Sequence, residues 1–273
     1  MHTILSSPRN TAFSLVELSI VLVILGLITG GIMAGQSLVR SSELRAVPIE
    51  YGKYVGAVRA YREKYFYVPG DAPNATQVFK RLVADDANCP ASSPAAVDSV
   101  NGSCDGNGDG WLNISGAAGN PSELTIFWRS LALGGFIEGS YTGILGPNNN
   151  RDLRIGINSP RSRVRNAGWG SRLMVAPDDS GAAYIMDYGN MFVFGAEGGA
   201  MTINPALTPE EAWNIDTKLD DGKPAYGKII ARYYNNACAA ADDGINHTAT
   251  NFEASYRISD NSIQCAMYFK NVY

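Results

Sequence analysis

The chain has 273 residues, 45% of them hydrophobic and 18% charged, with 22 basic against 26 acidic side chains and a formal net charge of −4. That length and balance suit one large domain or two small ones with a proper core and exclude a disordered tail. The slight acidic excess also argues against a protein whose main task is coating nucleic acid, which needs a broad basic surface.

Residues 1–12 (MHTILSSPRNTA) are short and polar, with Arg9 the only charged side chain before an apolar run. From Phe13 to Gly35 the only ionisable side chain is Glu17, and a run of that length crosses a bilayer as a helix. One arginine before the run, against Arg40 and Arg45 after it, makes a weak orientation signal. Beyond the run, Val47, Tyr51, Tyr54, Val55, Val58, Tyr61 and Tyr65 recur at steps of three and four, so one apolar stripe continues the helix to about Phe66. Pro48 is placed to kink or divide it.

"YVPGDAPNAT" (67–76) breaks that helix, and a short one is expected at 75–85. Residues 88–119 turn to Ala, Ser, Gly, Asn and Asp and read as a loop. A helix is expected to open at Asn120-Pro121-Ser122-Glu123 and close at Gly134-Gly135. "LRIGI", "RLMVA", "AAYIMDY" and "MFVFGA" read as strands separated by turns, Thr208-Pro209-Glu210-Glu211 opens another helix, and "FEASYRI" and "IQCAMYF" close the chain as strands. The expected fold is α+β: a long N-terminal helix, hydrophobic then amphipathic, packed on an antiparallel β-sheet head. The expected divisions are 1–12, 13–66 with its membrane half at 13–35, and 67–273.

The four cysteines fall into two pairs, Cys89 with Cys104 and Cys238 with Cys265, and neither has C-x-x-C spacing. Two local disulfides are the simpler reading. They put the C-terminal bulk in an oxidising compartment outside the cytoplasm.

Several stretches carry candidate chemistry. "CDGNGDGWLN" sets Asp105, Asn107 and Asp109 at positions one, three and five of a loop, with Gly110 at six, the Trp111 carbonyl at seven and Asn113 at nine. That spacing wraps hard oxygens around Ca²⁺, while the competing reading is an Asx-rich turn that holds no ion. Position twelve is Gly116, so a closing carboxylate has to come from elsewhere, Glu123 being one candidate. "IDTKLDDGKP" also brings Asp216, Asp220 and Asp221 together with Gly222, but Lys218 in third place favours a helix end and turn. Arg151, Arg154, Arg161, Arg163 and Arg165 form the densest basic run, read as a solvated loop and strand edge, with a phosphate or DNA contact as the competing reading. His2 and His247 form no catalytic or metal set, and no G-x-S-x-G, H-E-x-x-H or phosphate loop is present, so the expectation is not an enzyme.

Glu17 is the charge that asks for an explanation. A carboxylate at the centre of a membrane helix costs about 2.5 to 3.5 kcal/mol on insertion scales, and less near the headgroups. The plain reading is that it sits near the headgroups or is protonated. The other supplies a cation: a cut between Ala12 and Phe13 would create an α-amino group four residues before Glu17, and a neighbouring subunit's amine could meet the carboxylate in low dielectric.

"AFSLVELSIVLVILGL" resembles the type III signal of type IV prepilins and pseudopilins. The resemblance implies that a membrane prepilin peptidase cuts after Ala12 and N-methylates Phe13, and that Glu17 pairs with a neighbouring amine during filament assembly. Ala12 departs from the family's usual Gly, Ala34 stands where many type IVa pilins carry Pro, and Gly26 matches a family glycine. Gly26 with Gly30 and Gly31 with Gly35 make small-x-x-x-small pairs suited to close helix approach or to local loosening. "YVPGDAP", "FWRSLALGGFIEGSYTG" and "EAWNIDTKLDDGKP" are similar to segments of large bacterial prepilin-type proteins. The head exceeds that of many pilins, which leaves room for a minor or tip role, and several pseudopilins use calcium.

The resemblance thus implies a structural subunit held in a bacterial inner membrane with its head outside the cytoplasm. It would then enter an extracellular or periplasmic filament, homo-oligomeric or mixed, with prepilin peptidase and an inner-membrane assembly platform as partners. The alternatives are a type II secretion pseudopilin and, from another class, a membrane-tethered Ca²⁺-dependent binding or adhesion module.

Overall fold

The computed structural model describes residues 14–83, 89, 97–114, 117–174, 184–232, 237–240, 252–270 and 272. The chain forms two compact units, Met1–Ser42 and Glu43–Tyr273. Helix α1 (Leu15–Tyr65) belongs to both by sequence, and Pro48 lies inside it without ending it.

In the first unit the helix side chains from Leu15 to Val39 are exposed all round. A methyl group added at Gly26, Gly30, Gly31 or Gly35 would meet nothing within 4 Å, so packing among the described residues does not explain these glycines.

In the second unit the predicted stripe is the buried face. Ala46, Val47, Tyr54, Ala57, Val58 and Tyr61 are buried at the three-and-four spacing of one helix side. Tyr51 lies with its ring centroid 4.8 Å from Phe269, and Tyr54 lies 5.1 Å from Trp128 and 5.7 Å from Trp169. A fully buried aromatic side chain contributes roughly 1.5–3 kcal/mol relative to exposure, so this cluster fixes the helix on the sheet. The helix ends at Phe66, whose N–H donates to the Arg62 carbonyl (2.8 Å) with a φ of 66°, a left-handed cap that glycine usually supplies.

The sheet is antiparallel with strand order β1-β2-β6-β3, from β1 (Ala167–Met174), β2 (Gly189–Ala196), β3 (Ile229–Ala231) and β6 (Met267–Phe269). A second pair joins β4 (Ala239–Ala240) to β5 (Ser255–Tyr256). Side chains alternate between two covered faces. Trp169, Phe192, Phe194, Met267 and Phe269 join the α1 side, while Met191, Val193, Ile230 and Tyr268 join a separate cluster with Tyr184 and Tyr188. Both disulfides form, Cys89–Cys104 and Cys238–Cys265.

Helix α2 (Ala75–Phe79) is shorter than the expected 75–85. Helix α3 (Glu123–Leu133) starts after Ser122 as its cap, two residues beyond Asn120, and α4 (Pro209–Leu219) opens on the reciprocal Thr208–Glu211 capping box.

Two expected strands are corrected. "LRIGI" contributes a single bridge at Ile155, because the N–H groups of Ile157 and Asn158 turn back onto the Arg154 carbonyl around Gly156 at φ 81°. Residues 184–188 of "AAYIMDY" form no strand; Tyr188 Oη donates to the Tyr184 carbonyl (3.1 Å) and both rings fill the second core. Strand β3 was not foreseen, since only its pairing with β6 defines so short a segment.

Candidate functional site

Ala12, Phe13, His2, Gly116 and His247 lie outside the described residues. Glu17 lies within them and has a local partner. Its Oε2 accepts the Ser14 N–H (2.8 Å) while its own N–H donates to Ser14 Oγ (3.2 Å), which is a reciprocal capping box at the start of α1. "SLVE" therefore reads as a helix-start signature. The carboxylate also lies where the partial positive charge of a helix N-terminus favours it.

The 105–113 loop is fixed by three side chains outside it, two of them remote in sequence. Gly70, at φ 87°, lets its backbone approach α3 so closely that a Cβ there would lie 2.6 Å from the Glu123 carbonyl oxygen. This close approach brings Asp71 to the loop, where its two oxygens accept the N–H groups of Gly108 (2.7 Å) and Gly110 (2.8 Å). Asn190 on β2 donates to the Gly110 carbonyl (2.7 Å) and accepts the Leu112 N–H (3.1 Å). Glu123, in the first turn of α3, accepts the Asn113 N–H (2.7 Å).

Within the loop the structure brings Asn107, Asp109 and Asn113 together. Asp109 accepts from the amide nitrogens of Asn107 (2.8 Å) and Asn113 (3.1 Å) and from the Trp111 N–H (2.8 Å). Asp105 is directed elsewhere: its carboxylate accepts the Thr76 N–H (2.7 Å) and hydroxyl (3.1 Å) at the start of α2. This is Asx-turn geometry, in which amide donors neutralise the carboxylate. Half-turns of the Asn107 and Asn113 amides would replace both nitrogens by oxygens and leave a set of hard donors around Asp109.

The charges of this loop are crowded. Burial, assisted by the charges of Asp71 and Asp109 and opposed by the Asn113 N–H, pushes Glu123 up to about 7. Burial also raises Asp71, against the Gly110 and Gly108 N–H groups. For Asp109 burial acts upward too, but the Trp111 N–H and the two amides outweigh it and hold the group below its ordinary value. In this geometry the loop's carboxylates face main-chain and amide donors, and among the described residues Asp71, Asp109 and Glu123 do not form a set whose carboxylate oxygens all come within 4.8 Å of one another. Asp71 was missed because nothing in its spacing links it to a loop beginning 34 residues later.

Among the described residues, Asp216, Asp220 and Asp221 are the set whose carboxylate oxygens all come within 4.8 Å of one another. The segment is the helix end and turn that Lys218 suggested, with Asp220 at the C-cap of α4 and Lys218 exposed. Asp216 is buried, accepts Tyr256 Oη (2.8 Å) and the Gly222 N–H (3.3 Å), and is pushed up to about 7, chiefly by burial. Asp220 accepts the N–H groups of Lys228 and Ile229.

The basic run divides. Arg154 lies 3.6 Å from buried Asp152, whereas Arg161, Arg163 and Arg165 are exposed and alternate with buried Ser162 and Val164. Their turn is held against α1 by Glu50, which accepts Ser162 Oγ (2.7 Å), the Arg163 N–H (2.9 Å) and the Trp169 indole N–H (2.8 Å). Sequence reading missed Glu50; its position beside the apolar stripe was the available signal.

Comparison with known proteins finds no family model, no curated protein and no solved structure that matches the chain.

Proposed function

We propose that the chain is a prepilin-like structural subunit, inserted in a bacterial inner membrane, cut before Phe13 and assembled through its N-terminal helix into a type IV pilus-like filament. The observation that carries this reading is the exposed apolar half of α1. Its most apolar window has a mean hydropathy of 2.4 and none of that window is buried, so lipid or other helices have to cover it. Transfer from lipid into a bundle of like helices retains that coverage. Glu17 would meet a neighbour's new amine at a helix start where Ser14 already orients it.

The test is the mass of the N-terminal peptide from the native membrane or sheared filament fraction. A peptide beginning at N-methylated Phe13 is expected; an uncut N-terminus overturns processing. A pseudopilin of type II secretion is the same reading with a periplasmic filament, and the location of the assembled subunit separates the two.

The acidic loop favours a second reading, a membrane-tethered module whose head presents a Ca²⁺-dependent surface. In either reading Asn107, Asp109 and Asn113, with Asp71 and Glu123, are proposed to hold the ion. Glu17→Ala separates the readings: loss of filament incorporation with normal membrane insertion is expected of a subunit, and unchanged incorporation overturns the assembly role.

A further inference from the structure

We propose that the turn carrying Arg161, Arg163 and Arg165 is a docking surface for the headgroups of anionic phospholipids, used while the chain is in its membrane-inserted state. This inference rests on the membrane reading of α1.

Four observations carry it. First, the turn is built to present these side chains. Arg161 pairs with Gly168 across the chain, Ser162 N–H donates to the Ala167 carbonyl (3.0 Å), and Asn166 closes the turn at φ 62°. Ser162 and Val164 are buried while the three arginines between and beside them are exposed.

Second, the guanidinium groups are available. Arg161 reaches the Ile155 carbonyl at 3.4 Å, and among the described residues Arg45, Arg163 and Arg165 form no ion pair. Glu50, which touches the turn, accepts three hydrogen bonds, and Glu197 accepts the Ile155 N–H (2.9 Å).

Third, Glu50 ties this turn to a definite level of α1. Arg40 is the first charged residue after Glu17, and ten residues of helix separate it from Glu50. At ~1.5 Å per residue that is at most about 15 Å along the chain, whatever bend Pro48 introduces. Arg45 is exposed between them. The turn is thus joined to α1 only ten residues beyond the first charge that follows the apolar run, a juxtamembrane position in sequence.

Fourth, the chemistry fits phosphodiesters held in a plane. Guanidinium groups bind phosphate oxygens through paired N–H donors, and several on one rigid face engage a lipid surface together. The run lacks the aromatic platform that single-stranded nucleic acid uses.

The experiment uses the full chain in nanodiscs of phosphatidylcholine alone or with phosphatidylglycerol. Phenylglyoxal modification of each arginine is followed by mass spectrometry, with exposed Arg62 at the far end of α1 as the internal control. Modification of Arg163 and Arg165 should slow by about tenfold in the anionic discs and recover at high salt, with Arg62 unchanged. Arg163→Gln should reduce the protection of Arg165 by about fivefold.

Retention of the chain in lipid through a carbonate wash is measured on the same discs. A chain that is not retained overturns the membrane reading and this inference together. A retained chain whose arginines react equally in both discs overturns this inference alone. Protection by duplex DNA or inorganic phosphate in neutral discs, without protection by phosphatidylglycerol, also overturns it and assigns the turn to that ligand.

Discussion

The two acidic loops of the head reach the same electrostatic condition by different routes. Near residues 105–113, Asp109 is surrounded by amide and main-chain donors and lies below its ordinary pKa, while Glu123 beside it is pushed up to about 7. Near residues 216–222 three carboxylates crowd together and the buried member, Asp216, is pushed up to about 7 with one tyrosine hydroxyl as its side-chain donor. The first loop answers its charge with side-chain amides, and the second with main-chain N–H groups and one buried tyrosine hydroxyl. Donor supply, more than charge count, therefore decides what each loop tolerates.

The sharpest break of this comparison is Tyr256→Phe. It leaves buried Asp216 one donor short and should cost about 2 kcal/mol at pH 8. Calorimetry should show a smaller loss at pH 5, where the carboxyl is protonated.

Next in size is the pH dependence itself. Glu123 and Asp216 both lie above their unfolded values, so the folded chain binds more protons than the unfolded one between about pH 4 and pH 7. Their contribution is fully present below that window and is lost as pH rises through about 7. In chelator, Glu123→Gln should raise stability by about 1 kcal/mol at pH 8 and leave it unchanged at pH 4. An equal gain at both values would remove the like-charge account of this loop.

Calcium at about three times Kd should produce a smaller change, an increase of about 0.8 kcal/mol in stability or about 2 °C in melting temperature. Asp109→Asn should abolish that increase and Asp216→Asn should leave it. The reverse pattern would move the ion to the second loop. The smallest expected effect is Lys218→Ala, within about 0.5 kcal/mol, because the side chain is solvated.

What was legible in the sequence followed spacing within one element. The Tyr54, Val58 and Tyr61 stripe is the buried face of α1, and Thr208 with Glu211 marks the start of α4. What was not legible depended on distant approaches. Asp71 reaches the 105–113 loop through Gly70, and the Asp216 group closes around Tyr256, 40 residues away. Asp105, first in the linear pattern, was taken by Thr76 because α2 starts beside it and needs an acceptor for its leading N–H groups. The Ser14–Glu17 box was visible in "SLVE", but a carboxylate in an apolar run draws attention to membranes before helix caps.

Glu50 has a mechanical consequence. Its three donors, on Ser162, Arg163 and Trp169, all engage one carboxylate, so the loss of that one side chain removes all three ties to α1 together. Tension entering through the helix is delivered to the first strand of the sheet at Trp169, whose ring is packed 4.9 Å from Phe194 and 5.1 Å from Phe269. The sheet is therefore fastened to its helix by two unlike means, a broad aromatic contact and one polar rivet at Glu50.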